Sequence, residues 1–161
     1  MSKISKSPVP LRLKTGAKRD VRAQVAALCY RIKNDELQVC LITARETGRW
    51  IIPRGWPMHK QTPAQSAAIE AIEEAGVEGR VHPMSIGAYS YEKPIDGVKT
   101  PIMVSVFAIE LTKKHKSWPE RADRKRKWMT TKKAAKKLSD PGLQQIVANF
   151  DPALLDIARK R

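Results

Sequence analysis

The sequence predicts an α/β layered domain, a small mixed sheet with two or three helices packed on it. Two observations supply the sheet. "AQVAALCYRI" (23–32) and "TPIMVSVFAIEL" (100–111) are near-continuous apolar runs, the pattern of buried strands. A third supplies the covering helices: residues 62–76 are alanine-rich between a good N-cap and a glycine, and 130–161 has helical composition. At 161 residues the chain suits one domain, and no run approaches the ~18 apolar residues of a membrane span.

The elements follow in order. Residues 1–20 read as a basic, extended or disordered arm, and 21–161 as a single folded domain. Strand 23–32 turns at "KNDE" and returns as "LQVCLIT" (37–43), a hairpin. After the loop "RETGR" comes "WIIP" (50–53), a short strand closed by proline, then the Gly/Pro loop "RGWPMHKQTP" (54–63). Thr62 is a good N-cap, Pro63 a favoured first helical residue and Gly76 a natural stop. Residues 79–93 read as one strand, 94–99 as a turn and 100–111 as the strongest strand of the chain. A helix over 130–138 has Ala134, Ala135 and Leu138 as its apolar face, and a closing helix over 140–161 is interrupted near Pro152. Cys29 and Cys40 both fall in strand runs, which predicts two buried free thiols in a reducing cytosol. His59, His82 and His115 have no metal-ligand spacing.

The net charge of +15 comes from two segments. Residues 1–22 carry seven Lys/Arg and one Asp; residues 113–137 carry twelve Lys/Arg against Glu120 and Asp123. The rest of the chain is close to neutral. Such a field attracts polyanions: nucleic acid, anionic lipid, or a small, densely phosphorylated ligand. The N-terminal stretch has no apolar core of a secretory signal, and Pro8 and Pro10 break a presequence helix, so the expected compartment is the cytoplasm.

The chemistry sits in "AAIEAIEEAG" (67–76). Glu70, Glu73 and Glu74 project within a sector of about 100° on an ideal helix, with Ala68, Ile72 and Ala75 opposite, turned to the sheet. Like charges at these spacings cost an isolated helix roughly 0.2–0.5 kcal/mol per pair. A hard divalent cation such as Mg²⁺ prefers carboxylate oxygen and would relieve that cost; an ordinary solvated acidic face is the plainer alternative.

Residues 55–77 resemble the Nudix box of the Nudix hydrolases, G-x5-E-x7-R-E-U-x-E-E-x-G-U. Gly55, Glu70, Glu73, Glu74, Gly76 and Val77 match it. Gln61 stands in place of the first Glu, Ile69 in place of the Arg, and Ala71 is small for its position. "VAALCYR", "VCLITARETGRWIIPRG", "EEAGVEG" and "RKRKW" are similar to the diphosphoinositol polyphosphate phosphohydrolase branch, in the same order, over roughly residues 22–138.

The resemblance implies an α/β/α sandwich and a pyrophosphohydrolase using Mg²⁺, with Mn²⁺ as a substitute. Glu70 and Glu74 would be the principal metal ligands, Glu73 a further ligand or the general base, and the Gly55 carbonyl would complete a coordination sphere. Arg22, Arg45, Arg54, Arg124, Lys125, Arg126 and Lys127 would meet phosphate, through the bidentate fork of arginine and the mobile point charge of lysine. The implied substrate is a diphosphoinositol or diadenosine polyphosphate, and the expected state is a monomer with no membrane partner. Gln61 and Ile69 remove one acid and one base together, so the glutamates would be held by packing in place of a salt bridge. Two other readings stand beside this one: an RNA 5′-end pyrophosphohydrolase, with few aromatics (6%) to stack bases, and a catalytically silent polyphosphate-binding domain.

Overall fold

The computed structural model describes residues 22–159, so the basic arm expected over 1–20 lies outside the described residues. In chain order the strands are β1 (Arg22–Lys33), β2 (Glu36–Thr43), β3 (Trp50–Ile51), β4 (Arg54–Gly55), β5 (Val77–Val81), β6 (Gly87–Ile95), β7 (Val98–Lys114) and β8 (Arg126–Thr130). The α-helices are α1 (Pro63–Glu70), α2 (Thr131–Lys137), α3 (Pro141–Ala148) and α4 (Pro152–Arg159). The sheet runs β3-β2-β1-β7-β5, with β4 on β1, β6 on β7 and β8 on β2. The two apolar runs lie side by side: β1 and β7 pair in parallel from Arg22↔Ile102 to Tyr30↔Glu110. The other pairings are antiparallel.

Alternation along β1 divides the core into two layers. Val25, Ala27 and Cys29 face α1, where they meet Ala64, Ala67, Ala71 and Ala75. Ala26 and Leu28 face the opposite way, toward Ala134, Leu138, Leu143 and Val147 of the C-terminal helices. The sandwich is therefore α/β/α, and the alanine row lets α1 lie close against the sheet.

Three boundaries differ from the sequence expectation. The strand expected over 79–93 is two, because residues 82–86 oppose only two residues of β7 and must loop out, with Pro83 lacking an N–H. The turn expected over 94–99 contracts to Asp96-Gly97, both at positive φ (50° and 78°), so β6 and β7 run on to meet there. Part of the basic stretch is a strand, β8, pairing Arg126–Thr130 with β2. The closing helix is interrupted near Pro152 as expected: it breaks at residues 149–151, and Pro152 opens α4 as Pro141 opens α3.

One topological detail positions the site. The β1–β2 ladder ends at Tyr30↔Val39, and beyond it the strands separate. The segment carrying β3 and β4 fills the gap: β3 pairs with Ile42 and Thr43 of β2, and β4 with Val25 and Ala26 of β1. A backbone bond from Ala27 N to Pro53 O (2.8 Å) pins it, and Gly55 is held at the edge of the opening above α1.

Candidate functional site

Helix α1 begins as expected. The Thr62 hydroxyl accepts from Gln65 N (3.1 Å) and the Gln65 side chain accepts from Thr62 N (2.9 Å), a complete capping box ahead of Pro63. Past Glu70 the helix widens into a π-helical turn, Ala71–Ala75, closed by Gly76 at φ +63°. Single π turns are frequent where a helix carries function. The wider turn changes which side chains meet the sheet: Ala71 and Ala75 are sealed, whereas Ile72, expected on that face, is only half-buried.

All three glutamates are buried, with Glu70 at 0%, Glu73 at 6% and Glu74 at 2% exposure. That removes the solvated acidic face as an explanation. Glu70 reaches under Gly55 so closely that a Cβ at Gly55 would fall on its carboxylate. Glu74 Oε1 accepts from Arg54 N (3.2 Å), so Glu70 and Glu74 address neighbouring residues of β4. The turn is held from behind by Trp118 Nε1, donating to Glu74 O (3.2 Å), and by Glu120 N, donating to Glu73 O (3.0 Å). Among the described residues no group of three or more Asp, Glu, His or Cys side chains is arranged to hold a metal ion. The donor set at Gly55, two carboxylates and backbone carbonyl oxygen, nevertheless suits Mg²⁺, which takes one or two carboxylates and completes its shell with water and phosphate.

Glu74 and Gly55 line a cleft of about 690 Å³ in the opening between β1 and β2. Its basic residues are Arg45, Arg49, Arg54, Lys93 and Arg124, and its aromatic ones Trp50, Trp56 and Tyr91. Arg54 is fixed by stacking 3.9 Å above the Tyr91 ring and by donating to the Tyr89 hydroxyl (3.3 Å). Burial pushes the Tyr89 phenol up to about 12, so it stays a neutral acceptor. Tyr91 in turn donates to Gln24 Oε1 (2.7 Å).

The other basic residues expected at the site are dispersed. Arg45 is on the rim, over half exposed, 3.8 Å from Glu120 and 4.0 Å from Asp123. Arg124 is 8% exposed and turned inward: it holds Glu120 (2.9 Å) and the Thr43 carbonyl (3.0 Å) and lies 3.7 Å from Glu74. Arg126 Nη1 donates to the carbonyls of Ala75 (2.9 Å), His115 (3.1 Å) and Gly76 (3.4 Å), fastening the end of the π turn. Lys125 and Lys127 are exposed and line neither this cleft nor the hollow beside Arg126. Arg22 lies at the start of β1, opposite Ile102 and on the strand face that Gln24 shares.

Gln61 is exposed in the loop before α1 and Ile69 is half-buried. Although Ile69 leaves no arginine beside Glu70 in the helix, a cation reaches the cluster from elsewhere, as Arg124 beside Glu74. Sequence reasoning missed Trp118, Glu120, Tyr89 and Tyr91. Only the last two carried a signal, as alternate residues of one strand.

The family profile described as NUDIX domain matches residues 22–150. The chain is 27% identical over 131 residues to Nudix hydrolase 12, mitochondrial, of Arabidopsis thaliana, covering 79% of this chain and 64% of that protein. It is 24% identical over 131 residues to diphosphoinositol polyphosphate phosphohydrolase 2 of Rattus norvegicus, covering 80% and 69%. Thus it spans a little under two thirds of the first plant relatives. Its fold is similar to a C. elegans Ap4A hydrolase in a binary complex, with a TM-score of 0.62 at 16% identity over 83% of this chain and 98% of the other. With the profile matched from β1 through α3 on an α/β/α sandwich, the chain belongs to the Nudix hydrolase family.

Proposed function

We propose that residues 21–161 act as one Nudix domain, a Mg²⁺-dependent pyrophosphohydrolase that cleaves a phosphoanhydride bond in a small, highly phosphorylated molecule. A diphosphoinositol polyphosphate or a diadenosine polyphosphate is the substrate this reading favours. The supporting observation is the burial of Glu70 and Glu74 around Gly55 at the edge of a cleft with five basic residues. Relatives named for diphosphoinositol polyphosphate and a fold neighbour named for Ap4A point to the same chemistry.

In this reading Glu70, Glu74 and the Gly55 carbonyl hold the metal, and Glu73 is a further ligand or the base that accepts a proton from water. Bound Mg²⁺ (or Mn²⁺) would neutralise the phosphates and polarise the bridge between them. Arg54, stacked on Tyr91, and Arg45, exposed on the rim, receive phosphate oxygens. Arg124 orients Glu74 and is among the residues lining the cleft beside it. Of the remaining cations first expected to meet phosphate, Arg22, Lys125, Arg126 and Lys127, none lines the cleft. No helix of the described residues is long and apolar enough to cross a membrane. Both cysteines are free and buried, which suits a reducing compartment, and we place the protein in the cytoplasm as a monomer.

A Mg²⁺ screen of diphosphoinositol phosphates, diadenosine polyphosphates, nucleoside triphosphates and capped or triphosphorylated RNA tests the reading. Release of phosphate or mononucleotide from the first two classes, abolished by Glu74→Gln, is the expected result. A folded protein that turns over none of them would return the silent phosphate-binding domain.

A further inference from the structure

The loop between β7 and β8, with the first residue of β8, gathers a second group of cations, of which only Arg124 also lines the cleft. Lys116, Arg121, Arg124 and Arg126 line a second, open hollow of about 480 Å³ around Trp118. The Arg126 guanidinium stacks 4.1 Å from the centre of the Trp118 ring and Arg121 lies 6.0 Å from it. Arg124 is answered by Glu120 and Glu74. Among the described residues, however, no carboxylate lies within ion-pair distance of Lys116, Arg121 or Arg126. Arg126 donates hydrogen bonds through Nη1 alone, and its guanidinium lies over the Trp118 ring among the residues that line the hollow. Burial holds the Arg126 pKa below its usual value; Cys40 opposes that shift, and the charges of Arg121 and Arg31 add to it.

Like charges brought to one ring repel, and an anion is what such an arrangement lacks. Two guanidinium forks and an ammonium offer many donors in fixed and mobile geometries, the combination that suits tetrahedral phosphate oxygens. The hollow is no isolated patch: Arg124 lines both it and the cleft. Its walls also grip the glutamate turn, through Trp118 to the Glu74 carbonyl and Arg126 to the Ala75 carbonyl.

We propose that Lys116, Arg121 and Arg126 around Trp118 form a second anion site, separate from the catalytic cleft, that takes a phosphate or short oligophosphate group. The site goes beyond the catalytic reading and stands without it. Its occupant has two sources: the distal phosphates of a long substrate passing over Arg124, or a free oligophosphate bound on its own. Either would steady the backbone that carries Glu73 and Glu74.

Calorimetric titration of the full chain with tripolyphosphate, in buffer without Mg²⁺, reads the site without any turnover. Lys116→Ala/Arg121→Ala, two exposed positions, should weaken binding roughly tenfold or more with an unchanged thermal melt. Lys132→Ala/Lys133→Ala removes the same charge from exposed positions of α2 and should leave binding as it was. Equal weakening by both pairs would reduce the effect to net charge and overturn the proposal, as would no weakening by the first. Kinetics then separate the sources. A higher KM for tetraphosphate but not diphosphate substrates in the first variant assigns the site to distal phosphates. An unchanged KM for both, with wild-type kcat altered by added tripolyphosphate, assigns it to a free anion.

Discussion

Glu70 occupies the space where any residue but glycine at position 55 would place its Cβ. The backbone at β4 and the carboxylate from α1 meet there because β4 fills the gap between two diverging strands and α1 lies close beneath on its alanines. Gly55→Ala should therefore displace the carboxylate end of a flexible side chain while sparing the fold. Activity should fall roughly a hundredfold, as expected for a misplacement of about 1 Å in a catalytic group, with little change in the melting temperature. Steady-state kinetics and a circular-dichroism melt check it; full activity would mean that Glu70 is not held in its working position by Gly55.

Arg124 and Glu74 form an almost sealed pair, 3.7 Å apart, with Arg124 also tied to Glu120 and the Thr43 carbonyl. Removing one partner of a buried pair strands the other. Arg124→Met should cost about 3–5 kcal/mol in urea denaturation, and Arg124→Lys should recover only part of it, because lysine cannot form the fork. By contrast Lys125→Met and Lys127→Met, at exposed positions, should fall within about 0.5 kcal/mol of the wild type.

Gly76 has φ +63°, and the Trp118 ring stands where its Cβ would project. Gly76→Ala meets both obstacles. The left-handed conformation alone costs a non-glycine residue roughly 1–2 kcal/mol, and displacing Trp118 adds to it by loosening the bond to Glu74 O. A loss above 2 kcal/mol together with reduced kcat is expected; a neutral effect on both would show that the turn tolerates rearrangement.

Burial raises the thiol pKa of both cysteines, Cys40 from 9.0 to about 12. The folded thiols stay neutral where unfolded ones ionise. Their contribution is thus fully present below pH 9 and is lost as pH rises from 9 toward 12. Tyr89, raised from 10.0 to about 12, acts in the same direction over the top of that window. Urea melts at pH 8 and 10.5 should show lower stability at the higher pH, and a thiol reagent at pH 8 should label neither cysteine before unfolding. Rapid labelling of the native protein would contradict their burial.

Local chemistry announced much of this fold. The apolar runs of β1 and β7, the Thr62 and Pro63 start of α1 and the Gly76 stop each depend on residues near in sequence. What escaped depends on partners far away. The π turn becomes visible only once Trp118, Glu120 and Arg126 are seen to take its carbonyls. The split between β5 and β6 follows from register on β7, not from residues 82–86 alone. At the site, helical spacing picked out Glu70, Glu73 and Glu74, all of which are buried, and the resemblance added Gly55, against which the fold sets Glu70. The run "RKRKW" could not reveal its own division of labour: Arg124 and Arg126 point inward to protein groups, whereas Lys125 and Lys127 point to solvent.

The central claim is that Glu70 and Glu74 work as metal-holding carboxylates. The most direct test follows initial rates on a diphosphoinositol or diadenosine polyphosphate against Mg²⁺ concentration, for the wild type, Glu70→Gln and Glu74→Gln. Saturable dependence on Mg²⁺ is expected in the wild type. Either variant should lose roughly two to three orders of magnitude in kcat, matching the several kcal/mol a metal supplies to phosphoryl transfer. Mg²⁺-independent hydrolysis, or variants as active as the wild type, would contradict that claim.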